Sequence, residues 1–153
     1  MMDLTDPDKR ILAHLQTDSR IPNQELAERV GMSASACWRR VRLLEEQGVI
    51  AAYPAVLNAE KAGLVFSAIV HVTLVRHEAH PVSAFISRIV ERPEVLECFS
   101  TTGEADYHLR VVCRDKDAYN VFLEDFLFRL PGIAHVRTNL VLKDIKLSTK
   151  LPL

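Results

Sequence analysis

The residues best suited to chemistry are concentrated in Ser33–Gly48, SASACWRRVRLLEEQG. Ser35, Arg39, Arg40 and Arg42 share its polar side, and no acidic residue appears before Glu45 and Glu46. Guanidinium forks match phosphate oxygens and guanine edges, while small residues such as Ser35 and Ala36 let a helix enter a groove closely. The same side chains would equally make an ordinary solvated basic face, so this stretch by itself leaves both readings open. Trp38 borders the apolar stripe and is expected to pack against a following wing.

Other reactive side chains are less organised. Of six histidines, His77 and His80 sit with Glu78 in a loop, without the spacing of a zinc ligand set. His71 and His108 fall on strands among apolar neighbours and are expected on a sheet face. No Gly-rich phosphate loop, nucleophile elbow or paired-carboxylate motif is present. Cys37, Cys98 and Cys113 are scattered and odd in number, which argues against a disulfide framework and fits a reducing cytoplasm. No metal or cofactor is expected.

The elements that must position the arginines can be read in order. Asp6-Pro7 starts a helix over 6–16, with Ile11, Leu12 and Leu15 inward and Asp8 favourable in its first turn. A second helix over 22–30 turns Leu26, Ala27 and Val30 inward and ends at Gly31. Ser33 then caps the third helix, whose Ala34, Cys37, Val41 and Leu44 form a buried stripe and which Gly48 stops. Two helices joined by so short a corner must cross steeply, which is helix-turn-helix geometry, with the basic helix in the groove-reading position. VIAAYPAVLN follows as a wing or hinge strand, confined to an edge by Pro54.

Beyond a boundary at Asn58–Gly63 the rhythm alternates between strand and helix. Strands are expected over 66–75, 95–102, 106–114 and 133–146, and helices over 81–92 and 117–130. The order is βαββαβ, so the fold class is α+β, a winged helix-turn-helix joined to a ferredoxin-like sandwich. The expected domains are residues 1–52, a hinge at 53–63, and 64–153. Helices on one face leave the other sheet face open, and apolar residues there predict self-association.

Composition sets outer bounds. The chain has 153 residues, 48% of them hydrophobic and 25% charged, which is ordinary for a folded soluble protein. No apolar run approaches the ~18 residues of a membrane span, and MMDLTDPDKR is not expected to be a signal peptide. Net charge is −1, and residues 1–60 carry seven basic against nine acidic side chains. Binding to nucleic acid must therefore come from a local patch, doubled by association, rather than from bulk charge.

Four segments in this order carry a resemblance: DPDKRILAHLQTDSR, ELAERVGMSASACWRRVRLLEEQGVI, STTGEADYHLRV and LPGIAHVRTNLVLKDIK. Together they resemble the Lrp/AsnC family of bacterial and archaeal transcription regulators along essentially the whole chain. The resemblance implies a DNA-binding, non-enzymatic regulator whose RAM-like second domain pairs into dimers, tetramers or octamers. It also implies an amino acid, or a related small metabolite, as effector between those domains. The DNA-reading residues it implies are Ser33, Ser35, Ala36, Arg39, Arg40 and Arg42. Arg40 and Arg42 are expected on phosphates of double-stranded DNA, and Ser35, Ala36 and Arg39 nearest base edges. The hairpin Thr101, Thr102, Gly103, Glu104, Ala105, Asp106 and Tyr107 resembles the effector loop. Its backbone N–H groups would suit an α-carboxylate, and Glu104 or Asp106 an α-ammonium. Thr138 and Leu140 would join from a neighbouring subunit. Ala105 departs from the aromatic often found in the family, which leaves the pocket's shape open. Two alternatives stand beside this reading: an architectural DNA-binding oligomer without ligand, and a ferredoxin-like enzyme domain fused to a DNA reader.

Overall fold

The computed structural model describes residues 3–75 and 80–153, with only the backbone described at 80 and 81. The loop expected to hold His77 and Glu78, and the side chain of His80, lie outside the described residues. The chain divides into two compact units, residues 1–56 with 146–153, and residues 57–145.

In the first unit, α1 (Asp6–Leu15), α2 (Asn23–Val30) and α3 (Ala34–Glu46) surround a small apolar core. Ile11, Leu12, Leu26, Ala27, Val30, Cys37 and Leu44 are buried there, each large side chain contributing about 1.5–3 kcal/mol by leaving water. The corner between α2 and α3 is set by Gly31, whose φ of 71° a side chain would strain. Asn23 Nδ2 donates to the carbonyl of Ala34 at 2.9 Å, tying the first turns of the two helices together. Helix α1 begins at Asp6, as expected, but its N-cap is Thr5, one residue before the Asp6 cap the sequence suggests.

The segment expected as a wing or hinge strand forms no paired strand. Residues 51–58 run without regular structure, and Val56 and Leu57 are exposed. Pro54 has no N–H to donate, and the single chain offers this segment no partner strand. Near its start the Tyr53 hydroxyl donates to Glu45 Oε1 at 2.9 Å, and at its end Asn58 accepts the N–H groups of Lys61 and Ala62. The final residues also dock in this unit. Gln16 donates through Nε2 to the Leu151 carbonyl and accepts from the Leu151 N–H, reading one residue's backbone in both directions.

The second unit is a four-stranded antiparallel sheet in the order β2-β3-β1-β4. Its strands are β1 (Phe66–Leu74), β2 (Val95–Ser100), β3 (Tyr107–Cys113) and β4 (Ile133–Leu140), with α4 (His80–Val90) and α5 (Lys116–Val121) between them. That is the βαββαβ order expected. Ala68, Val70, Val72, Leu109 and Val111 meet Phe85, Ile89, Tyr119 and Phe122 in one core, so both helices cover the same face.

Three details differ from expectation. The last helix is not uniform: α5 runs into a π turn over Phe122–Phe126 and a 3-10 turn over Leu127–Arg129. The extra residue keeps Phe122, Phe126 and Leu127 all buried and turns Phe128 outward. Strand β4 stops at Leu140 rather than 146, with Val141 making one last backbone bond to Ser67. The open sheet face is mixed rather than apolar. By register Ile69 and Phe99 share it with His71, His108, Arg110, Arg137 and Asn139.

Candidate nucleic-acid interface and effector hairpin

Helix α3 begins where expected. The Ala36 N–H donates to Ser33 Oγ at 3.3 Å, satisfying one of the free donors of the first turn. Its buried side is Cys37 and Leu44, with Val41 partly covered. The opposite side exposes Ser35, Trp38, Arg39 and Arg42, spaced i, i+3, i+4 and i+7 along one stripe. Shallow depressions flank this stripe, one walled by Asn23, Ala34, Ser35, Trp38 and Arg39, the other by Pro7, Met32, Ala36, Arg39, Arg40 and Leu43.

The three arginines have different surroundings. Arg39 makes no ion pair among the described residues and borders both depressions. Arg42 is exposed and spends one amino group on Glu45 at 3.1 Å, the same carboxylate that accepts from Tyr53. Burial, and then the bond to Glu45, push the Tyr53 hydroxyl up to about 12, so it stays a donor.

Arg40, expected on a phosphate, is engaged within its own unit. Its Nε lies 2.6 Å from Oδ1 of Asp8, a contact aligned too poorly for a hydrogen bond but close in charge. Its Nη2 donates to Asp8 Oδ2 at 3.2 Å and to the Thr5 hydroxyl at 2.7 Å. Thr5 in turn gives Asp8 Oδ2 both its N–H, at 2.9 Å, and its hydroxyl, at 2.6 Å. Asp8 is 0% exposed. Burial alone would raise its pKa, but the Thr5 hydrogen bonds and the Arg40 charge prevail and hold it below 3.8. A phosphate would have to draw Arg40 from a buried carboxylate, so this arginine positions α3 against α1.

Trp38 does not pack against a wing. Its side chain is 56% exposed on the basic stripe, with the Arg42 guanidinium 5.9 Å from the ring centroid.

In the second unit the hairpin between β2 and β3 folds over the end of β1. The Asp106 N–H donates to the Val72 carbonyl, and Asp106 Oδ2 accepts the Leu74 N–H at 2.7 Å. Strand β3 pairs with β1 only as far as Tyr107 opposite Val72, so the carboxylate takes the place of the ladder partner that β3 no longer supplies at Leu74. Thr101 donates its N–H to the Asp106 carbonyl and its hydroxyl to that of Ala105. Ala105 is buried, and Tyr107 lies in the core beside Phe85 with ring centroids 4.9 Å apart. The exposed tip is therefore Thr102, Gly103 and Glu104. Gly103 has a φ of 126° with open space on its side-chain side. The Glu104 carboxylate, on a side chain 87% exposed, lies 3.5 Å from Arg137, and the Glu104 carbonyl accepts the Thr73 hydroxyl at 3.4 Å. Thr138 spends its hydroxyl on Tyr119 at 2.6 Å, while Leu140 is exposed.

Sequence reasoning missed Asp8 and Thr5 as the holders of Arg40, and Asn23 as the clamp of the corner. A Thr followed three residues later by an acid is a capping-box signal that could have located the first pair. Nothing local marks Asn23, whose partner is eleven residues away.

Comparison with known proteins covers both units. Residues 4–51 match a family model for a winged helix-turn-helix DNA-binding domain, and residues 67–151 match one for the Lrp/AsnC ligand binding domain. The chain is 39% identical over its full length to the Bkd operon transcriptional regulator of Pseudomonas aeruginosa, also spanned completely. It is 38% identical to the leucine-responsive regulatory protein of Escherichia coli strain K12, covering 97% of this chain and 91% of that one. A transcriptional regulator from Neisseria meningitidis, crystallised as an L-Met complex, superposes with a TM-score of 0.94 at 37% identity. That match covers 98% of this chain and 97% of the other.

Proposed function

We propose that this chain, which belongs to the Lrp/AsnC family of DNA-binding transcription regulators, reads DNA with the exposed stripe of α3 and reports a free amino acid through the β2–β3 hairpin. The observation that carries the DNA half is the stripe itself. Ser35, Arg39 and Arg42 lie together on the exposed side of the second helix of a helix-turn-helix, and Arg39 has no competing carboxylate among the described residues. Arg39 and Arg42 take phosphates or guanine edges, and Ser33, Ser35 and Ala36 give the helix close approach. Arg40 acts at one remove, by locking α3 onto α1.

The effector half rests on the hairpin tip and on kinship. Thr101 and Asp106 build the turn and anchor it to β1, which leaves Thr102, Gly103 and Glu104 to face a ligand. Backbone N–H groups at Gly103 suit a carboxylate, and Glu104 suits an ammonium. The Neisseria relative was crystallised with L-Met, and the Escherichia coli relative is named for leucine. Thr138 and Leu140 of a second copy complete the pocket in this reading, so ligand binding and self-association are linked. The open sheet face is the surface for that association. The protein works in the cytoplasm, on double-stranded DNA, as a homodimer or a larger assembly of dimers.

A thermal-shift screen with each proteinogenic amino acid tests the effector half. A ligand present at a hundredfold over its Kd should add about 2.7 kcal/mol to apparent stability. No shift with any amino acid, in a preparation that still binds DNA, would favour an architectural DNA-binding oligomer instead.

A further inference from the structure

Trp38 is the one large apolar side chain on the stripe that faces the groove. Its indole stands between Arg39, its neighbour in sequence, and Arg42, whose guanidinium lies 5.9 Å from the ring centroid. It forms one wall of the depression shared with Asn23, Ala34, Ser35 and Arg39. Ile11, Leu12, Leu26 and Leu44 of this unit are buried, whereas Trp38 is 56% exposed and leaves a large apolar surface in water on the basic stripe. The indole N–H has no partner among the described residues.

We propose that Trp38 is a sequence-reading residue, taking the C5-methyl group of a thymine in the major groove against its indole wall; this rests on the DNA-reading assignment of α3. The thymine methyl is the only apolar group on the major-groove edges of the bases. An apolar wall one residue from a guanidinium therefore reads what Arg39 cannot. Arg39 and Arg42 supply hydrogen bonds and charge, and Trp38 adds discrimination of thymine from cytosine at the adjoining position. Because it neutralises no phosphate, its contribution carries no salt dependence, unlike that of an arginine. The Arg42 guanidinium lies over the indole at 5.9 Å from its centroid, a cation–π contact at the outer limit of such distances.

The experiment begins by selecting duplexes from a random pool with the full-length chain, then replacing each selected thymine in turn by uracil, which lacks only the methyl. Fluorescence anisotropy then compares wild type with Trp38→Ala on each duplex. Wild type should lose about three- to fivefold in affinity at one thymine per half-site, the worth of one buried methyl. Trp38→Ala should bind the parent duplex more weakly, be indifferent to uracil at that thymine, and keep the wild-type slope of affinity against salt. Equal sensitivity of both proteins to every uracil, or a lower salt slope in the variant, would overturn the proposal. Trp38 is the only tryptophan in the chain, so intrinsic emission provides a readout independent of any variant's folding. It should change on titration with the selected duplex, and unchanged emission at saturation would also overturn the assignment. Failure of the wild-type chain to enrich any sequence would instead defeat the DNA-reading assignment itself, and this proposal with it.

Discussion

Asp8 and Arg40 show how one charged pair can decide what an apparently DNA-facing arginine does. A carboxylate with no solvent exposure persists only if its charge is matched, and here Thr5 and Arg40 together supply the match. Removing one partner leaves the other charge uncompensated, a loss on the order of 3 kcal/mol. Arg40 is itself 31% exposed, so water offsets part of that. Arg40→Ala is therefore expected to lower the stability of the helix-turn-helix unit in urea melts, and to affect DNA binding mainly through unfolding. Arg39→Ala is expected to do the reverse. Its melting should be unchanged, while its DNA affinity falls and the slope of log affinity against log salt drops by about one unit. A normal melt for Arg40→Ala together with a reduced salt slope would return that residue to the phosphates. The linkage also has a pH signature: the folded Asp8 carboxyl is held below 3.8, so its contribution is complete above that value and is lost as pH falls further.

At the scale of elements, periodic signals were readable and distant partners were not. The stripe of Cys37, Val41 and Leu44 (though not Ala34, expected in it but exposed), the Ser33 cap and the Gly31 corner all appear in the sequence because each is set by residues within a few positions. Ser33→Ala should cost about 1 kcal/mol, measured as a shift in the urea midpoint at constant slope, because the bond from the Ala36 N–H is lost. By contrast, Arg40 and Asp8 are 32 residues apart, and no local pattern announces the pair. Trp38 lay at the border of the apolar stripe, where one helical position, about 100°, separates buried from exposed. Asp106 is expected from the sequence to face a ligand, and the end of the β1–β3 pairing at Val72 adds a backbone N–H, that of Leu74, which its carboxylate accepts. The π turn at Phe122–Phe126 was hidden for a related reason: helical propensity does not report one inserted residue. The hinge segment had β-like composition but no partner strand among the described residues, and composition cannot supply one.

The whole molecule joins a DNA-reading unit to a ligand-binding unit without a globally basic surface. With a net charge of −1, non-specific attraction to DNA is weak, and the proposed pairing of two copies would supply what one lacks. In the proposed dimer, a two-fold pair of α3 helices would place half-sites about one helical turn, or a multiple of it, apart. The open sheet face should tie folding to pH. Burial, then the charges of His108 and Arg137, push His71 below its ordinary value of 6.5. The unfolded chain therefore binds the extra proton first as pH falls below about 6.5, and stability declines there while staying whole above it. The melting temperature should fall between pH 7 and pH 5, and His71→Asn should flatten that dependence; an unaltered slope in the variant would assign it elsewhere. The claim that holds the molecule together is that ligand and DNA are coupled through one chain. The direct measurement is the affinity of the full-length chain for its selected duplex, by anisotropy, with and without each amino acid at saturation. At least one amino acid is predicted to change that affinity by about 5- to 150-fold, the usual range of such coupling. Identical affinity in the presence of every amino acid would contradict the account.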